Sequence, residues 1–219
     1  MFSFDWFEFR LTILLPAIVL ALTVHEYAHA RVAYVFGDTT AKNAGRLTLN
    51  PLAHLDVVGS LMLIFAGIGW AKPVPVNPYY FRGSRKQKML WVALAGPLSN
   101  LAQALIVSVL LSILIHFGPM GYTSFLSWLH SFLYFYVSIN ILLAVFNLLP
   151  IPPLDGSKVL AGLLPTRHMN IIFALERYGF IIIIVLALSG VLFDIIVPIR
   201  SIILNAMMRL VGLGYLAGF

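Results

Sequence analysis

Four stretches of this chain, residues 9–36, 89–117, 125–149 and 178–197, are apolar over lengths that cross a lipid bilayer. A helix needs about 20 such residues to traverse ~30 Å of hydrocarbon. Within that layer every backbone N–H and C=O must find its partner inside the protein, and a helix meets this demand locally. The pattern therefore predicts an all-α polytopic membrane protein. Composition agrees: 61% of the 219 residues are hydrophobic and only 10% are charged, where a soluble domain carries about 25% charged residues. The length suits a single transmembrane domain over residues 1–219. The tail 198–219 is apolar but carries Arg200 and Arg209. It reads as either a further span or a helix lying at the interface.

The stretch 57–69 is apolar but only 13 residues long, and Gly67 and Gly69 interrupt its end. Charge placement classifies it. Lys42, Arg46, Lys72, Arg82, Arg85, Lys86 and Lys88 lie around it, against Asp38 and Asp56. If the stretch dips into the membrane and returns, all seven basic residues share one side, and Lys158 and Arg167 come back to it. That distribution obeys the positive-inside rule and assigns this side to the cytoplasm. It also accounts for the net charge of +6 without a nucleic-acid partner. A broken, re-entrant segment must be shielded by protein, which fits the lining of a buried cavity. Residues 45–50 and 71–77 read either as two extended pieces of a small membrane-associated β-sheet or as ordinary loops. Pro73 and Pro75 would confine the second piece to an edge. The N-terminus lacks a basic region and a small-residue cleavage site and is expected to be retained.

Within the first span stands His25-Glu26-Tyr27-Ala28-His29. On a helix this HExxH spacing puts two imidazoles one turn apart on one face, with a carboxylate beside them, which is the pattern of a zinc site with its own general base. The chain has no cysteine, so thiolate ligands and a cysteine nucleophile are excluded. Two imidazoles leave a catalytic zinc one protein ligand short. Asp155 is the best candidate, because the Pro150-Ile151-Pro152-Pro153 run before it interrupts the helix, and irregular backbone at membrane depth lines cavities. The alternative for Asp155 is a cap on the helix that follows. Re-entry of 57–69 brings Asp155 to the side where the HExxH helix ends, so charge and metal readings agree. A metal transporter would instead need ionisable groups tracing a path across the bilayer, whereas these gather near one depth.

With HExxH, Ala95-Gly96-Pro97, and Asn147-x-x-Pro150 followed by Asp155-Gly156 in this order, the chain resembles the site-2 protease family. The closer likeness is to its small prokaryotic branch without PDZ or CBS modules. The resemblance implies one Zn²⁺ per chain, held by His25, His29 and Asp155, with Glu26 as catalytic base. It implies a zinc-dependent intramembrane endopeptidase of the cell membrane, with its site nearer the cytoplasm, cleaving transmembrane protein or peptide substrates within the lipid bilayer. Asn140 and Asn147 lie seven residues apart on one face and read as substrate-binding or as helix-to-helix hydrogen bonding. His54 reads as approaching zinc or substrate, or as an interfacial hydrogen-bonding group. Ser99 and Asn100 read as packing and polar contact between helices.

Overall fold

A computed structural model describes residues 4–66, 69–119, 123–165 and 175–216. The first span begins with α1 (Phe4–Phe9), runs through a π turn (Arg10–Leu14) and continues into α2 (Leu15–Val35). Pro16, which has no N–H to continue the ladder, sits in the first turn of α2 directly after the π turn. A short α3 (Thr40–Asn43) follows, then α4 (Val57–Ala66). The two longest helices are α5 (Arg85–Phe117) and α6 (Ser124–Asn147). Ser84 and Thr123 start them by accepting from the backbone N–H of Gln87 and Leu126, which satisfies donors that a helix start leaves free. α7 (Asp155–Leu163), α8 (Gly179–Leu188) and α9 (Val191–Leu210) follow, and a 3-10 turn (Gly214–Leu216) ends the described chain.

α5 is the centre of the bundle, packed against α2, α6 and α7, while α6 also packs against α2 and α9. Among the described residues, four helices are long and apolar enough to cross a membrane: Phe7–Val35, Arg85–Phe117, Ser124–Asn147 and Val191–Leu210. The last differs from the apolar run 178–197. That run is divided at Ser189-Gly190, where Gly190 takes φ +84° and ends one helix before the next begins. α8 is therefore too short to cross, and the chain from 198 to 210 belongs to the spanning helix. Hydropathy alone does not register a two-residue turn between two apolar helices.

α4 has ten residues and cannot cross. Its two flanks meet at an antiparallel bridge between Leu55 and Ala71, so the segment goes out and comes back, as the re-entrant reading requires. Arg10 Nη1 fastens it to the first span by donating to the Ile64 carbonyl at 3.0 Å. Gly67, expected to break this segment, lies outside the described residues. The β-sheet does not form: among the described residues there is no strand beyond that bridge. The reason lies in residues 71–77. Pro73 and Pro75 have no N–H to give a ladder. The N–H groups of Lys72, Val74 and Asn77 are already taken by the His54 carbonyl at 2.9 Å, Glu26 Oε2 at 2.8 Å and Asp38 Oδ2 at 2.7 Å. The segment is a strap pinned at three points, not a strand.

Candidate metal centre

α2 carries His25 and His29 one turn apart on its buried face. The Pro150–Pro153 stretch ends the run of α6 and turns the chain so that α7 starts beside them, with Asp155 as its first residue. Leu154 occupies the cap position and no side chain caps this helix. The Asp155 carboxylate is directed elsewhere: Oδ2 lies 3.2 Å from His25 Nε2 and 3.1 Å from His29 Nε2. The two Nε2 atoms are 3.0 Å apart. All three side chains are buried.

Hydrogen bonds on the far side of each ring fix which nitrogens carry protons. The Tyr136 carbonyl accepts from Asn140 Nδ2 at 2.9 Å, and Asn140 Oδ1 accepts from Asn100 Nδ2 at 2.9 Å. Asn100 is thereby oriented with Oδ1 facing His25 Nδ1 at 2.5 Å, so Nδ1 must donate. His29 Nδ1 donates to the Val92 carbonyl at 2.7 Å. Pro97, inside α5, withholds the helical donor from the Ala93 carbonyl and loosens the helix at this turn. Each neutral ring then presents a lone pair at Nε2. Two lone pairs and a carboxylate oxygen converge with no donor between them, which is stable only around a cation.

A proton or a metal ion can fill that place. For a metal, tetrahedral zinc with bonds of about 2.0–2.1 Å sets its ligands about 3.3 Å apart. The observed separations of 3.0 to 3.2 Å match that spacing. The imidazole and carboxylate donors, each ring braced from behind, suit zinc as well. Gly96 makes the space: a Cβ there would overlap His29 Nε2 and His25 Cε1 and Nε2.

Glu26 lies beside the cluster and accepts from the Val74 N–H of the strap. It opens with His25, His29 and Asp155 onto a cavity of about 730 Å³ walled by α2, α5, α6, α7 and the strap. Asn147 also lines this cavity, with Nδ2 donating to the Leu143 carbonyl at 3.0 Å. Asn140 does not; it is buried in the hydrogen-bonded chain behind His25. His54 lies apart from the cluster, its Nε2 2.8 Å from the Thr48 carbonyl, and lines a separate small pocket. Sequence reasoning overlooked Asn100 and Gly96 as parts of the site. Both had a signal, since an Asn in a span needs a partner and lies one turn from Gly96 on the same face.

Fold and site together define a multi-span membrane protein whose helices enclose a metallopeptidase centre. The profile of Peptidase family M50 matches residues 113–190, a segment that contains Asp155 but not the HExxH helix. Relatives of the chain carry the name "Putative zinc metalloprotease". YwhC of Bacillus subtilis is 43% identical over 173 residues, covering 79% of this chain and 78% of the relative. Rip2 of Mycolicibacterium smegmatis is 33% identical over 179 residues, 80% of this chain and 66% of the relative. MJ0611 of Methanocaldococcus jannaschii is 33% identical over 162 residues, 73% of this chain and 75% of the relative. No solved structure matches the chain. The chain belongs to peptidase family M50, the site-2 protease family.

Proposed function

We propose that this protein is a zinc-dependent intramembrane endopeptidase that cuts the membrane-spanning segments of other proteins. The observation that carries the reading is the convergence of His25, His29 and Asp155, with Glu26 beside them, on a cavity walled by apolar helices. His25, His29 and Asp155 hold one zinc ion. Zinc bound there supplies Lewis acidity, polarising a peptide carbonyl and making water more acidic. Glu26 takes a proton from the attacking water and returns it to the nitrogen of the broken peptide bond. The Val74 N–H keeps that carboxylate turned towards the cavity until substrate enters.

A helical substrate hides its peptide groups in i to i−4 hydrogen bonds, so it must unwind locally before attack. Substrate spans with Gly, Asn or Pro near the cut are expected to react best. Asn147, in the cavity wall, keeps a second amide hydrogen for the unwound backbone. The basic residues gathered between 42 and 88 support a site nearer the cytoplasm, and residues 1–219 act as one domain in the membrane. The test is Glu26→Gln in the purified full chain, reconstituted with a candidate membrane span. Cleavage should vanish while zinc stays bound. Cleavage at the wild-type rate would exclude Glu26 as the base.

A further inference from the structure

The oxygen that becomes negative when water adds to the carbonyl carbon is stabilised further by a hydrogen-bond donor acting beside the metal. Asn140, read from the sequence as a substrate contact, is engaged behind His25. Among the described residues lining the cavity, the remaining side chains able to donate are Trp70, Asn147 and Lys158. Lys158 is the cation of the three. It stands one turn after Asp155 on α7, and its Nζ lies 3.9 Å from Asp155 Oδ1, the oxygen turned away from the imidazoles. Its side chain is 43% exposed, so the ammonium can swing between that carboxylate oxygen and a substrate. In sequence terms Lys158 is merely one more basic residue on the cytoplasmic side.

An ammonium so placed is drawn to any negative charge that develops in the cavity, and hydrolysis brings such charge. Water adds to the carbonyl carbon as its proton passes to Glu26, and the C=O π pair moves to oxygen. Collapse restores C=O, breaks C–N, and sends the Glu26 proton to the departing nitrogen. We propose that Lys158 Nζ is a catalytic donor to the oxyanion in this step, released from Asp155 Oδ1 towards the substrate. The inference rests on the proteolytic reading of the same site.

The experiment uses purified, zinc-loaded full chain as wild type, Lys158→Met and Lys158→Arg. Two fluorescent apolar peptides are bound to each: one with a phosphonamidate at its centre, mimicking the tetrahedral anion, and the same peptide with a plain amide. Zinc per chain is measured on every sample. Lys158→Met should keep its zinc and bind the amide peptide within about twofold of wild type, but lose at least about tenfold for the phosphonamidate. Lys158→Arg should recover most of that loss. Equal phosphonamidate affinity in wild type and Lys158→Met overturns the role of Lys158 alone. Loss of zinc from Lys158→Met also overturns it, because Lys158 would then act only through Asp155. If wild type itself shows no preference for the phosphonamidate, the proteolytic reading fails and the role of Lys158 fails with it.

Discussion

The two sides of α6 are packed on different principles. One side, facing α2 and α5, carries Asn140 into a buried chain of amides that ends on His25. The other, towards α9 and the C-terminal half of α5, presents Val137, Ile141 and Val145 to Leu111, Leu192, Ile196, Leu204 and Met208 in an apolar cluster. One polar contact stands beside it, where Arg200 Nε donates to Ser138 Oγ at 3.1 Å. In water the apolar side would dominate the stability of such a protein. In a bilayer lipid tails are as apolar as leucine, so that side gains mainly by shape fit. The polar side faces the opposite situation, since each unpartnered amide or imidazole in hydrocarbon carries a large cost. Polar groups therefore fix where the helices of the site lie, and apolar groups fill what remains.

That contrast can be broken most sharply at Gly96. Gly96→Val places carbon where the imidazole edges now lie, so zinc content of the purified variant should fall to near zero while helical content by circular dichroism is unchanged. Asn100→Ala should act less severely. It removes the acceptor behind His25 Nδ1 and should weaken zinc by about 10–100-fold in a chelator competition. On the apolar side, Leu111→Ala should lower stability by about 2 kcal/mol in thermal or denaturant unfolding, with zinc per chain unaffected. The smallest effect is expected at Gly190→Ala. Nothing lies within 4 Å of a Cβ there, and only φ +84° resists it, so a loss of about 1 kcal/mol is expected. If Leu111→Ala released zinc as readily as Asn100→Ala, the two sides of α6 would not be the separate devices described here.

The same contrast explains what could be read from the sequence. His25, Glu26, His29 and Asp155 stood out because ionisable groups are rare within apolar runs, and the structure gathers all four around one cavity. The out-and-back path of α4 was legible from its length and its charged flanks. The division between α8 and α9 was not, because Ser189-Gly190 interrupts one apolar run within another. Residues 45–50 and 71–77 were open between a small sheet and loops, and the structure takes the second for a local reason, since Glu26, Asp38 and the His54 carbonyl claim the strap's amides. Asn100 and Asn140 were visible as residues in need of partners, but the partner of each lies 75 or 40 positions away in the chain. Periodicity cannot supply a pairing of that kind.

The central claim is that three side chains from two distant helices share one metal ion. Zinc per chain, by elemental analysis of purified wild type and Asp155→Ala, tests it most directly. The account predicts close to one zinc per wild-type chain and a clear loss in the variant, since two imidazoles alone hold zinc weakly. Full zinc retention in Asp155→Ala would contradict it, and Asp155 would then be a residue that merely begins α7.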